Sequence, residues 1–246
     1  YVFTTKKTIS ASRNQGFKIA RGEIIAFSDT DCVMDKNWIK NSLKYFNDPA
    51  VAGVGGINIT PSNETPFGKA VGFVLNQAIF SAGSVYGRIL KKAKEVKSIA
   101  GCNAIFRKTA LVEVMPVQET SMTGEDYLMN QKIRQLGYKL LYTPDTVVWH
   151  HRRPVPIKFF KQIHFYAIGR LFIGKKDPKM INLIHIIAGL GIPIFITLSI
   201  ILILLNIDWL LIFLSLEVLF LAGYFLLAWS KLKSLKAALL VPPAII

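Results

Sequence analysis

With 246 residues, the chain holds one domain of ordinary size and something smaller, and it is too short for several domains. Hydrophobic residues make up 52%, slightly above the share of a soluble domain, and the excess is concentrated in the last quarter. Lys and Arg outnumber Asp and Glu by 30 to 15, a net charge of +15 that admits nucleic acid, anionic lipid or a phosphorylated substrate as partner, while two cysteines, Cys32 and Cys102, exclude a disulfide framework and point to a reducing compartment.

Residues 1 to about 150 alternate strand-like and helix-like patterns, which predicts a layered α/β domain. Ser12 to Ala20 reads as a short helix broken by Gly22, and Glu23 to Ser28 is an apolar run of strand length that ends at Asp29-Thr30-Asp31. Asp35 can cap a helix running to Phe46, whose apolar positions Trp38, Ile39, Leu43 and Phe46 share a face. Val51 to Ile59 predicts a strand, Pro66 to Ala82 a helix, and Ile99 to Phe106 a strand. Gly124 to Leu136 predicts a helix stopped by Gly137, and two short strands follow at Tyr138 to Tyr142 and Thr146 to His150.

Pro154 and Pro156 mark a boundary, so the first domain is expected over residues 1–154. Residues 155–180 are rich in aromatic and basic side chains and read as an interfacial helix, with an ordinary core helix as the plainer alternative. Residues 181–246 read as a membrane region. Its runs 183–205 and 209–229 are each long enough to cross a core of about 30 Å at about 1.5 Å per residue, and a third begins near Ala237. Asn206-Ile207-Asp208 joins the two runs as a hairpin whose outer ends carry Lys175, Lys176 and Lys179, then Lys231, Lys233 and Lys236. That basic flank favours membrane lipid over nucleic acid as the partner and predicts a multi-pass protein of the cell membrane with its α/β domain on the cytoplasmic side. Glu217 within the second run is either a functional polar group or one paired with His185. The chain begins at Tyr1 without a signal peptide and stops inside an apolar stretch, so it reads as a piece of a longer protein.

Asp29 and Asp31 at the end of an apolar strand lie where open α/β sheets bind ligands, and carboxylate oxygens suit Mg²⁺ or Mn²⁺. Taken alone, a D-x-D pair in a loop is a weak signal. Its setting, SASRNQGFKIARGEIIAFSDTDC, resembles the membrane-associated family 2 glycosyltransferases, through Arg13, Asn14, Gly16, Ala20, Gly22, Glu23, Asp29 and Asp31 in order. Gly101-Cys102-Asn103-Ala104-Ile105-Phe106-Arg107 is similar to that family's G-x-N-x-x-x-R segment, and Gly124-Glu125-Asp126 to its E-D motif.

The resemblance implies a partial GT-A fold, truncated at its N-terminus, because the family's first strand and acidic base-binding segment have no counterpart before Tyr1. It implies a nucleotide-sugar donor held by Arg13, Asn14, Asp29, Gly101 and Asn103, and a metal held by Asp29 and Asp31. Asp126, beside Glu125, takes the role of catalytic base. His150 fits the place of a third metal ligand, with His151 the near alternative. Gln162, Tyr166, Gly169 and Arg170 resemble the family's interfacial segment, with Gln162 and Arg170 assigned to ligand binding. The Arg-Trp pair of processive relatives is missing after Gln162, which favours a single transfer to a lipid-linked or polysaccharide acceptor. A non-catalytic membrane scaffold that keeps the fold is the alternative. Nucleic-acid binding rests on charge alone, without a recognisable motif.

Overall fold

The computed structural model describes residues 8–77, 88–117, 124–176, 178, 181 and 183–245. The expected helix from Pro66 therefore lies outside the described residues beyond 77, as do positions 177, 179 and 180 of the expected interfacial stretch.

The chain opens with α1 (Ile9–Ile19), capped by the Thr8 hydroxyl on the Ala11 N–H. β1 (Ile24–Ser28) and β2 (Cys32–Met34) follow, separated only by Asp29-Thr30-Asp31. Then come α2 (Trp38–Leu43), continued as a 3₁₀ turn over Lys44–Asn47, and β3 (Val51–Ile59). The cap of α2 differs from expectation. Asp35 does not cap it directly; its carboxylate accepts the N–H of Asn37, the residue before the helix, and its carbonyl that of Trp38. α3 (Pro66–Asn76), β4 (Lys94–Glu95), β5 (Asn103–Arg107), α4 (Lys108–Val112) and α5 (Glu125–Gln135) lead to β6 (Lys139–His150).

The sheet runs β1-β5-β3-β6-β2, with β4 also on β6. β3 and β6 are parallel, and the other pairs are antiparallel. Thr143 to His150 continues the same strand as Lys139 rather than forming a second one, because β3 stays paired with it throughout. The register slips between Gly56 and Asn58, where β6 carries the excess residues between Thr143 and Val148. Gly56 sits at this slip, and a Cβ there would collide with the Thr146 carbonyl oxygen.

One face of the sheet buries Ile25, Ala52, Ala104, Phe106 and Leu140 against Leu111, Met129 and Ile133 of the covering helices. The other packs Val54, Ile105 and Val148 against Trp38 and Phe46. β3 is buried along nearly its whole length, as its unbroken small and β-branched run requires for a central strand.

Beyond the sheet, α6 (Pro156–Lys176), α7 (Leu183–Leu205) and α8 (Ile207–Leu232) follow. α7 and α8 form a helical hairpin, with Phe195 and Phe213 in ring contact and the Asn206 side chain capping α8. Among the described residues one helix, α8, is long and apolar enough to cross a membrane, with a mean hydropathy of 2.4; Gly189–Leu205 within α7 is a shorter apolar stretch. Where a third long segment was expected, the chain forms α9 (Leu235–Leu239) and α10 (Val241–Ile245). Ala238, Val241 and Ala244 there are buried against Phe67, Val71 and Val74 of α3.

Glu64 staples the segment after β6 to the start of α3. Its carboxylate accepts the N–H groups of Thr65 (2.8 Å) and Arg152 (2.9 Å) and lies 3.1 Å from the His151 ring. Burial opposes ionisation of Glu64, but those two N–H groups and the ring outweigh it and hold the carboxyl below its ordinary 4.5. A depressed carboxyl contributes stability above its unfolded-state pKa and loses it as pH falls through the folded one. Glu64→Gln is therefore expected to cost about 1–3 kcal/mol at neutral pH and to flatten the acid side of the stability profile below pH 4.5, read as denaturation midpoint against pH. Gly56→Ala is expected to lower stability by roughly 1–3 kcal/mol, read as a lower melting temperature, because backbone rather than a movable side chain blocks the added methyl.

Candidate active site

The Asp29-Thr30-Asp31 connection carries the chain from the β1 edge of the sheet to the β2 edge. On the way it passes the end of β5, where the Ser28 hydroxyl donates to the Cys102 carbonyl (3.2 Å), and reaches β6, where Cys32 lies opposite His150. Ser28 at its start pairs with Asn103 and Cys32 at its end with His150, so the connection spans two registers of the sheet.

Asp31 Oδ1 lies 3.3 Å from His150 Nε2, and its other oxygen lies 3.3 Å from Arg153. His150 is buried, and burial, followed by the charge of Arg152, pushes its pKa down to about 4 despite Asp31. The ring is neutral at physiological pH, the form in which imidazole ligates a metal. His151 turns elsewhere, onto Glu64.

Asp29 is raised above the ordinary carboxylate range by partial burial, with Asp31 and Asp126 adding to the rise and Arg13 opposing it. Asp126 of α5 is tied to that loop through Arg13, which reaches both Asp29 and Glu125, the residue before Asp126. Asp126 accepts the Gly101 N–H (3.1 Å) and the Tyr127 N–H (2.8 Å). Its neighbour Glu125 is 4% exposed and bonds Arg13 at 2.6 Å; burial first, then Asp126, raises its pKa. Arg13 also lies 3.8 Å from Asp29 and 5.8 Å from the centre of the Phe27 ring. A Cβ at Gly101 would strike the Arg13 guanidinium, so the glycine clears the path of that side chain.

Two residues expected at the ligand face the protein instead. Asn14 donates to the Val117 carbonyl (2.9 Å) and accepts its N–H (2.8 Å), so both ends of its amide hold the chain after α4. Asn103 is fully buried, accepting from the Trp38 indole (2.8 Å) and donating to the carbonyls of Ile57 and Thr146. Its amide ties α2, β3 and β6 together beneath the site.

α6 passes the N-terminal end of α5. Arg170 stacks its guanidinium 4.3 Å from the Tyr127 ring centre, and its buried Nη1 has no hydrogen-bond partner among the described residues. Gln162 is not drawn into the carboxylate cluster; it donates to the Tyr166 hydroxyl (3.0 Å) on an exposed face. Arg153 on Asp31 and Trp38 on Asn103 were not legible in the sequence: both join residues far apart in the chain, and neither pairing leaves a local pattern.

The residue types at Asp29, Asp31 and His150 are ones that a hard divalent cation such as Mg²⁺ or Mn²⁺ accepts. Asp29 and Asp31 supply oxygens on one loop, their mutual repulsion is part of what raises Asp29, and His150 adds a neutral nitrogen beside Asp31.

Residues 1–115 match the sequence model described as Glycosyl transferase family 2. The chain is similar to an O-antigen chain rhamnosyltransferase of Salmonella typhimurium, 27% identical over 148 residues, which are 59% of this chain and 46% of the relative. It is similar to a pre-mycofactocin glycosyltransferase of Mycobacterium tuberculosis, 23% identical over 69% of this chain and 35% of the relative. A poly-beta-1,6-N-acetyl-D-glucosamine synthase of Staphylococcus aureus is 29% identical over 55% of this chain and 32% of its own length. The chain thus spans less than half the length of each of these curated relatives. In fold it is similar to a mannosyltransferase of Pyrobaculum calidifontis solved in complex with GDP-Man and Mn²⁺, with a TM-score of 0.61 at 16% identity, covering 98% of this chain and 66% of that one. Residues 1–115 thus carry the sequence pattern of family 2 glycosyltransferases, and the chain is similar in fold to a solved glycosyltransferase.

Proposed function

We propose that this chain is the catalytic and membrane-anchoring part of an enzyme that moves a sugar from a nucleotide-sugar donor to a membrane-associated acceptor, a lipid-linked saccharide or an exopolysaccharide unit, with inversion. The observation that carries the reading is the linkage of the β1–β2 connection to the end of β6 through Asp31 and His150, and to the start of α5, where Asp126 lies, through Arg13 between Asp29 and Glu125. Relatives named for O-antigen and poly-N-acetylglucosamine synthesis, and a fold neighbour holding GDP-Man and Mn²⁺, support the choice of substrates.

In this reading Asp29 and Asp31, with His150, hold Mg²⁺ or Mn²⁺. The ion supplies charge neutralisation to the leaving nucleotide diphosphate. Asp126 accepts the proton of the acceptor hydroxyl as that oxygen attacks the anomeric carbon. The Gly101 and Tyr127 N–H groups fix the carboxylate's direction and leave further lone pairs for the proton. Arg13 offsets the negative charge of Asp29 and Glu125 before a donor arrives. Arg170, with Nη1 unpaired among the described residues, is suited to an anionic group of donor or acceptor. The apolar α7–α8 hairpin anchors the domain, and the lysines at its outer ends favour the cytoplasmic face.

The full-length protein in lipid, given a panel of nucleotide sugars and Mn²⁺, is expected to release nucleotide in an acceptor-dependent way. Asp126→Asn should lower that turnover by about 10²–10⁴ while leaving nucleotide affinity within a few-fold, and unchanged release would remove Asp126 as the base. Chelation with EDTA should abolish calorimetric binding of the nucleotide diphosphate, and added Mn²⁺ should restore it; tight binding indifferent to EDTA refutes the metal assignment. Asn14→Ala is expected to behave differently. It should cost about 1–3 kcal/mol of stability through the two bonds lost at Val117 and leave nucleotide affinity intact.

A further inference from the structure

Beside the carboxylate cluster lies a second group of donors with a different chemistry. Cys32 Sγ, Cys102 Sγ and a ring nitrogen of His150 all lie within 4.8 Å of one another. They come from three strands or strand ends. Cys32 opens β2, directly opposite His150 on β6, so the antiparallel register sets both side chains on one face. Cys102 arrives from the turn that opens β5 and brings its sulfur within 4.8 Å of that of Cys32. Cys102 and His150 are buried, and Cys32 is half-buried at the mouth. Neither thiol has a part in sugar transfer as derived above.

We propose that Cys32, Cys102 and His150 form a binding site for a thiophilic divalent cation, Zn²⁺ by preference. Tetrahedral zinc with sulfur at about 2.3 Å and nitrogen at about 2.0 Å holds its donors roughly 3.6–3.8 Å apart. Closing from the observed spread asks each side chain to move by less than about 1 Å, within the reach of a small χ adjustment. Asp31 lies beside the three donors rather than among them, with Oδ1 3.3 Å from His150 Nε2 and 3.9 Å from Cys32 Sγ, so a shift of its side chain or a water completes the fourth position. Two sulfurs and an imidazole select Zn²⁺ over Mg²⁺ or Mn²⁺, which prefer oxygen.

Binding converts the two thiols to thiolates and releases their protons to solvent, so nothing is oxidised or reduced. The surroundings accommodate the change. The Cys102 thiol now points at Asn58 Oδ1 (3.6 Å), while the buried Asn58 Nδ2 has no hydrogen-bond partner among the described residues. Turning that amide over presents its N–H to the Cys102 thiolate and satisfies both groups.

The site shares His150 and Asp31 with the hard-cation set proposed above. On that reading Zn²⁺ withholds both from Mn²⁺ and acts as an inhibitor of donor binding. The thiophilic site itself requires no transferase activity.

The full chain in detergent, stripped with EDTA under reducing conditions, is titrated with Co²⁺ in the absence of nucleotide. The expected result is one Co²⁺ per chain, with intense tetrahedral d–d bands and a near-ultraviolet thiolate-to-cobalt absorption, displaced stoichiometrically by Zn²⁺. Cys32→Ser and Cys102→Ser should each weaken Zn²⁺ by at least about 100-fold with the melting temperature in the metal-free state little changed for Cys32→Ser. Co²⁺ bound without the thiolate absorption, or Zn²⁺ affinity within threefold of wild type in both variants, overturns the proposal. A second arm measures Mn²⁺-dependent nucleotide binding. Zn²⁺ should suppress it in the wild type and not in Cys32→Ser. Absence of nucleotide binding in every form refutes the transferase reading and leaves the cobalt result to decide the thiophilic site.

Discussion

The buried pair of Arg13 and Glu125 is the interaction on which the site depends. Glu125 is almost wholly enclosed, so its charge is tolerable only beside a guanidinium, and removing one partner of such a pair costs about 3–5 kcal/mol. The pair joins α1 to the start of α5 and so determines where Asp126, the next residue, can be. Arg13 reaches Glu125 only because position 101 has no side chain, and the same glycine gives its N–H to Asp126. One cation therefore aligns a helix start, a turn and a loop carboxylate.

The sheet supplies the other half of the convergence. The slip between Gly56 and Asn58 separates a lower register, where β5 and β1 pair, from an upper one, where β2 pairs with the end of β6. The Asp29-Thr30-Asp31 connection runs from the one register to the other. Asn103, with its amide on Trp38, Ile57 and Thr146, holds the offset from below. Its conformation leaves no group free for a ligand, and the site gains rigidity where the residue type suggested direct contact.

The C-terminal helices obey another constraint. α8 leaves Leu211, Leu216, Val218, Leu219 and Leu226 more than half exposed, a contiguous apolar surface of the kind that marks an interaction site. Its final turns are nevertheless tied to the sheet domain, because Ala228, Ala238, Val241 and Ala244 bury against α3 and Phe159 of α6. Small residues there let helices approach closely, and the hairpin is thus joined to the domain through packing as well as through the chain.

Much of the architecture was legible from residue order. The run Val51–Ile59 reads as a strand, and it is one; the limits of the helix after Gly124 follow from acids at its start and Gly137 at its end. Motif spacing likewise sufficed to name the family. Three-dimensional contacts decided the division of labour among the polar residues. Asn14 on Val117 and Asn103 on Trp38 join positions far apart in sequence, and no local pattern distinguishes an amide that holds backbone from one that meets a ligand. Composition measures how apolar the stretch from Ala237 is, whereas the packing of α9 and α10 on α3 decides which of its residues protein covers. The juxtaposition of Cys32, Cys102 and His150 has the same origin, since strand pairing and a turn, not sequence spacing, bring the two sulfurs and the ring together.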